Sequence, residues 1–220
     1  SLKIEKAWLA EAGFDWNGES AYARPLVYYR RLDDFIQGVP FDATPGVLDT
    51  PVEMVSAASG DPTPLRFANI DAEICGADIA FGTRLAGLLR LDGVASFVRG
   101  KRRDISDNLY RIAPASARVA LSWQAERWSL AAEALAVAKQ QKTSATNGEV
   151  PSKGYLTFNL FGHWLVRDGL RFDVGIENLF DTYYVEHLAG YNRNSGSDVG
   201  LGARLPGAGR SGFVRLRFQM

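Results

Sequence analysis

The stretch "LRFDVGIE", residues 170 to 177, sets Leu170, Phe172, Val174 and Ile176 on one side of an extended chain and Arg171, Asp173, Gly175 and Glu177 on the other. The same period of two recurs from end to end. "AWLAEAGFDW" sets Ala10, Ala12, Phe14 and Trp16 against Leu9, Glu11, Gly13 and Asp15, and "LRLDGVASF" sets Leu89, Leu91, Gly93, Ala95 and Phe97 against Arg90, Asp92, Val94 and Ser96. "ARVALSW", "LTFNLFGHW" and "FVRLRFQM" continue it, the last with Val214, Leu216, Phe218 and Met220 opposite Arg215, Arg217 and Gln219. Alternation this persistent commits the chain to antiparallel strands with one oily and one wet face. A soluble sandwich and a membrane barrel share that pattern, so the connections between strands must separate them.

Tight turns alternate with long connections. Asn17-Gly18 is a strong hairpin signal, and "TRLAGLL", "WQAERW" and "VRDGLR" mark three further short turns. Between them lie polar or Gly/Pro-rich connections over about 39–65, 100–112, 140–153 and 184–209, far longer than the roughly 4 to 6 residues usual in compact domains. Strands of about 9 to 11 residues with short turns at one end and long loops at the other fit an outer-membrane β-barrel, and about nine strands can be placed. Trp8, Trp16, Trp123, Trp128 and Trp164 fall near strand ends, as in the aromatic girdle of a barrel or as ordinary strand-end core aromatics.

Composition removes several classes. Lys plus Arg and Asp plus Glu both total 25, so no global basic field gathers nucleic acid. Cys75 is the single cysteine, which leaves no internal disulfide and no multi-cysteine metal site. No run approaches the roughly 20 apolar residues of a membrane helix, and the opening "SLKIEKAWLAEAG" has no signal-peptide layout. A start directly in an alternating segment reads as part of a longer exported protein. His163 and His187 are the only histidines, with no acid or serine pattern around either, so no catalytic constellation and no enzyme is expected.

The segment "GIENLFDTYYVEH" resembles the stretch near the C-terminus of TonB-dependent outer-membrane receptors, with Asn178, Leu179, Phe180, Asp181, Tyr184 and His187 in place. "RFANIDAEICGADIAF" is similar to another strand of that family, with Asp78 where glutamate is usual. "LYRIAPASARVALSW" and "LPGAGRSGFVRLRF" are similar to two more, the last with Arg210 and Phe218 in place but two residues inserted before Arg210. The chain runs past Phe218 to Met220, whereas receptors of this family usually stop at an aromatic residue. The resemblance implies an all-β, antiparallel transmembrane barrel of which residues 1–220 are the C-terminal portion, about nine of 22 strands, with the plug domain and the earlier strands outside the chain. It further implies a Gram-negative outer membrane, contact with its lipid, and a TonB complex engaged through an N-terminal region that this chain lacks. The implied substrate is a metal chelate: a ferric siderophore first, with copper, haem or cobalamin as alternatives. "NIDA", "VRG" and "NLFDTYYVEH" also resemble the copper-receptor group, although the chain has only two methionines and two histidines. A soluble all-β binding module is the rival class.

In barrel geometry Arg90, Asp92, Arg118, Arg171, Asp173, Glu177, Arg215 and Arg217 face the lumen, mostly to pair with one another or to dock a plug. Ligand capture is expected on the long loops, where binding residues concentrate. Asp42, Asp49, Glu53 and Met54 are the candidates in the first, and Tyr191, Asn192, Arg193 and Arg204 in the last. Glu186 and His187, as neighbours on a strand, should point to opposite faces and not share a metal. No resident metal or cofactor is expected.

Overall fold

Each alternating run pairs with the next one along the chain. A computed structural model describes residues 2–43, 46–59, 64–192, 196–200 and 202–219. Ten strands form one antiparallel sheet: β1 (Lys6–Gly13), β2 (Trp16–Asn17), β3 (Ala21–Pro40), β4 (Leu65–Ala86), β5 (Leu89–Arg102), β6 (Ser116–Gln124), β7 (Trp128–Val137), β8 (Tyr155–Arg167), β9 (Leu170–Glu177) and β10 (Ser211–Phe218). β1 and β2 both pair with β3 and are one ribbon broken at Phe14 and Asp15, so nine ribbons follow one another in chain order. The sheet is open, with β1 and β10 at its edges.

Register carries one face across the whole sheet. Trp128 lies opposite Trp164, Trp164 opposite Phe172, and Phe172 opposite Leu216, giving an aromatic row beside the short turns. One pleat towards the long loops, Leu130, Gly162, Val174 and Val214 form the next row. The rings of Trp123 and Trp128 meet edge to face at 4.0 Å across the β6–β7 turn. On β4 the oily face runs Cys75, Ala77, Ile79, Phe81, Thr83, and Glu73 ends it. That run covers about 27 Å of strand and, at a tilt near 40°, about 21 Å of height, close to the apolar band of a membrane barrel.

Two sequence expectations are corrected. β3 and β4 have 20 and 22 residues, twice what crossing a bilayer requires. Their distal halves rise beyond the apolar band, and a local hydrophobic cluster on the wet face supports them. Leu109 from the β5–β6 loop packs on Leu32, Ile70 and Ala72, with Phe35, Val39, Ile74 and Ile112 around them. A side chain on Gly100 would strike Leu109 and Ile112, so the glycine admits the loop. A bulge between Leu32 and Phe35, with Asp34 at φ 58°, resets the alternation so that Phe35 faces this cluster.

The second correction concerns the 39–65 connection, which contains a helix, α1 (Pro51–Ser59). Its signal was local and overlooked: Thr50 and Glu53 form a capping box. Glu53 Oε2 accepts from the Thr50 backbone N and hydroxyl at 3.0 Å each, while the Glu53 backbone N donates to Thr50 Oγ1 at 3.3 Å.

Candidate functional site

The long loops after β5, β7 and β9 converge at one end of the sheet, and buried polar side chains lock them together. Asp107 accepts from Ser144 Oγ at 3.0 Å and from the backbone N of Asn108, Ala145 and Thr146 at 2.8, 2.9 and 2.9 Å. Burial alone would raise its pKa, but the hydrogen bonds from Thr146 and its neighbours hold this carboxyl well below the ordinary carboxylate range. Asn108 Nδ2 donates to Thr143 O at 2.8 Å, and Asn147 Nδ2 donates to Gly38 O at 2.9 Å, tying the cap to β3.

Glu149 is the second lock. Its Oε1 accepts from the Arg111 backbone N and its Oε2 from the Ser144 backbone N, both at 2.9 Å, and His187 Nε2 lies 3.2 Å from Oε1. His187 is buried, and its Nδ1 lies 3.1 Å from Ser152 Oγ. A neutral ring that donates from Nε2 to Glu149 and accepts at Nδ1 from Ser152 satisfies every group. His187 therefore pairs with Glu149 and not with the adjacent Glu186. The strand geometry invoked for that pair is also corrected, because residues 183–188 form no strand.

Burial pushes the His187 pKa below its ordinary 6.5, outweighing the lift from Glu149, and Arg204 and Arg111 push the same way. Folding thus holds the ring neutral. The unfolded chain takes up the proton more readily, so the cap is fully stable above pH 6.5 and loses stability as pH falls below it. Protease cleavage of the loops in the intact protein should rise between pH 7 and pH 5, and His187→Gln should flatten that rise. A rise of the same size in the variant would remove His187 as its cause.

The segment after β9 is built to turn the chain and anchor the last loop. Asn178 is buried at φ 50°, and its Nδ2 donates to Thr182 O at 2.9 Å and Ala208 O at 3.2 Å while its Oδ1 accepts from Thr182 N at 2.9 Å. Leu179 N continues the ladder to Phe158 O. Phe180 meets Phe158 edge to face at 5.4 Å, and Asp181 Oδ1 accepts from Arg210 N at 2.7 Å, just before β10 begins at Ser211. Tyr184 stacks on Tyr155 at 4.4 Å, and only a glycine fits beside its ring at position 207. Asn178 and Asp181 thus hold the backbone on either side of the last loop.

Beside that stack lies a cavity of about 530 Å³ lined by Tyr155, Tyr183, Tyr184, Tyr191, Lys153 and Arg204 among others. Tyr155 shares the wet face of β8 with Asn159 and His163, which places the cavity at the long-loop end of the wet face. Arg204 lies over the Tyr191 ring at 5.5 Å and donates to Val150 O at 2.7 Å, and Tyr191 and Arg204 pair as an isolated bridge. Asn192 is buried, its backbone N donating to Ala203 O at 2.8 Å. The structure thus brings together three sequence candidates from the last loop. Arg193 lies outside the described residues.

The first-loop candidates sit apart on α1 and its approach. Asp42, Asp49 and Met54 are exposed, and Glu53 is buried in its capping box. Sequence reasoning left Lys153, Tyr155 and Tyr183 out of the site. The tyrosine density of "DTYYVEHLAGY" was the available signal.

Most of the wet-face charges pair, whereas Glu177 and Arg215 make no ion pair among the described residues: Glu177 accepts from Ser211 Oγ at 3.4 Å and Arg215 lies over the Phe213 ring. Arg90 meets Asp92 at 2.6 Å, Arg118 meets Glu133 at 3.8 Å, and Asp173 lies between Arg171 at 2.5 Å and Arg217 at 3.3 Å. The Arg217 contact lacks hydrogen-bond geometry, which leaves Asp173 Oδ2 buried without a hydrogen bond. Among the described residues no three His, Cys, Asp or Glu side chains gather as a metal site.

The family model described as TonB dependent receptor-like, beta-barrel, matches residues 1–179. Copper transporter OprC superposes with a TM-score of 0.87 at 24% identity, over 99% of this chain and 32% of OprC. The ferric yersiniabactin uptake receptor FyuA from Yersinia pestis gives 0.67 at 15%, over 97% and 30%. The ferric enterobactin receptor PfeA from Pseudomonas aeruginosa gives 0.67 at 19%, over 99% and 31%. The chain spans about a third of the length of each of these proteins. No curated protein matches it in sequence.

Proposed function

We propose, because this chain belongs to the TonB-dependent receptor family and carries part of its β-barrel, that the intact protein is an outer-membrane active transporter for a metal chelate of the ferric-siderophore class. Residues 1–220 are read as the C-terminal portion of that barrel. The plug domain, the earlier strands and the contact with the TonB complex are supplied by the rest of the protein. The family sits in the Gram-negative outer membrane, so the oily face meets lipid.

The observation that supports a chelate is the cavity at the lumen mouth, where four tyrosines meet Lys153 and Arg204. Tyrosine rings offer flat, amphipathic area, and the two cations complement the negative charge of a hydroxamate, catecholate or carboxylate chelate. Asp42, Asp49 and Met54 on the first loop and Asn192 on the last are proposed as further extracellular contacts outside the cavity. A second reading, copper, is favoured by the likeness to OprC.

Arg204→Ala combined with Tyr191→Ala in the intact receptor should raise the KM for uptake of a ferric chelate roughly tenfold, the effect of about 1.4 kcal/mol of lost binding. Radiolabelled uptake from a panel of ferric siderophores and copper would measure it. Import of copper alone, unaffected by the double variant, would defeat the chelate reading.

A further inference from the structure

We propose that Glu149 and His187 are positioning residues for the cavity beside the Tyr155–Tyr184 stack, holding two of its walls in the arrangement that binds ligand, a role that presupposes the chelate reading of that cavity. Neither side chain enters it. The two are 2% and 1% exposed, and their neighbours Val150, Ser152, Tyr184 and Val185 line the cavity in their place. One wall, Tyr183 to Val185, belongs to no strand and has no ladder to fix it. Apart from the Tyr184 ring stack, Gly207 N donates to Tyr184 O at 2.9 Å, a tie within the same loop. His187 supplies a tie to another loop. Its Nδ1 lies 3.1 Å from Ser152 Oγ, and Ser152 is itself fixed to Gln140 by two backbone hydrogen bonds of 3.0 Å.

Glu149 sets the other wall. Its two oxygens accept from Arg111 N and Ser144 N at 2.9 Å each, so the chain is clamped one residue before Val150. Val150 O then accepts from Arg204 at 2.7 Å, with the guanidinium 5.5 Å from the centre of the Tyr191 ring. Arg204 makes no ion pair among the described residues, so this carbonyl and this ring orient the cation. Arg111 closes the circuit from a third loop. At φ 61°, a conformation rare outside glycine, it gives its backbone N to Glu149 and its Nη2 to Leu188 O at 2.6 Å, beside His187. Two carboxylate oxygens thus serve three donors: Arg111 N, Ser144 N and His187 Nε2. A glutamine at 149 has one acceptor oxygen and turns an NH2 group towards a donor, which leaves a backbone N–H unsatisfied. Walls fixed before a ligand arrives need no ordering when it binds, and that saving appears as affinity.

The test uses the intact receptor in detergent, titrated calorimetrically with ferric enterobactin, ferrichrome and ferric citrate. For whichever binds most tightly, Glu149→Gln and His187→Phe should each raise Kd about tenfold, the scale of one lost hydrogen bond to a charged group. Asn108→Ala is the control. It removes the 2.8 Å bond to Thr143 O between the loops after β5 and β7, and neither of those residues lines the cavity. Kd should stay within about twofold in that variant. A second readout needs no ligand. With every native cysteine, Cys75 included, replaced by serine, a Val185→Cys thiol in the half-buried wall should react with a maleimide several times faster in the Glu149 and His187 variants than in the unaltered receptor or in Asn108→Ala. Heat-resistant migration on a gel verifies that each barrel has formed. A chelate that binds both variants as tightly as the unaltered receptor would overturn the positioning role and leave the chelate reading intact. Equal loosening by Asn108→Ala would overturn it too. If none of the three chelates binds the unaltered receptor, the chelate reading falls, and equal thiol rates would then overturn the positioning role as well.

Discussion

Val174→Arg should cut the yield of inserted, heat-resistant barrel by more than a factor of ten, whereas Asp173→Ala should leave most of it intact. The two residues are adjacent and point opposite ways. Val174 is 41% exposed on the oily face, between Gly162 and Val214 in register and one pleat from the aromatic row. An arginine on the lipid face near mid-depth costs about 2 to 4 kcal/mol, or roughly 1.4 to 3 powers of ten in the folding equilibrium. Asp173 faces the wet side, where its loss leaves Arg171 and Arg217, both half-exposed, to be solvated. That exchange costs about 1 kcal/mol. Insertion of each variant of the intact receptor into lipid vesicles, read by heat-dependent gel mobility, measures the difference. Equal yields would mean that the face assignment of β9, and with it of every strand in register with it, is reversed.

What the sequence made legible follows from how far each signal reaches. Alternation is a property of neighbours, so Leu170 to Ile176 and Leu89 to Phe97 disclosed their faces without any knowledge of their partners. The four tight turns then fixed four hairpins, β2 with β3, β4 with β5, β6 with β7 and β8 with β9, and the structure joins these hairpins in chain order across the long loops. The helix at Pro51–Ser59 was equally local, and its capping box at Thr50 and Glu53 was readable. Contacts that hold the cap were not. Glu149 and His187 are 38 positions apart, and Asp107 and Thr146 are 39 apart, distances over which no periodicity operates. The extra length of β3 and β4 has the same origin, because it depends on a distant loop burying Leu109 against Leu32 and Ile70. Tyr155 and Lys153 joined the site for that reason too, through a ring stack with Tyr184 that the sequence alone does not place.

Asn178→Ala should be the most damaging single change outside the oily face, costing about 3 kcal/mol. Three backbone groups, Thr182 N, Thr182 O and Ala208 O, lose their partner in a buried setting. At about 1 kcal/mol each, tempered where water can reach the loop, these account for about 2 kcal/mol. The remaining cost is conformational, since the φ of 50° disfavours alanine by about 1 kcal/mol. Asn178→Gly keeps the backbone relaxed and loses only the hydrogen bonds, so it should cost about 2 kcal/mol. The gap between the two variants isolates the backbone share, and thermal unfolding of the intact receptor would read both. The damage should reach beyond the turn, because Asn178 holds Ala208 and Asp181 holds Arg210, the residues that deliver the chain into β10. β10 pairs with β9 from Ser211 opposite Glu177 to Phe218 opposite Leu170, a register set at the loop end by these two contacts across a long loop whose free closure is entropically costly. Slippage by one residue would turn Val214 and Leu216 to the wet face and Arg215 and Arg217 to the lipid. Wild-type thermal stability in Asn178→Ala would show that the register of β10 is held by the strand pairing alone.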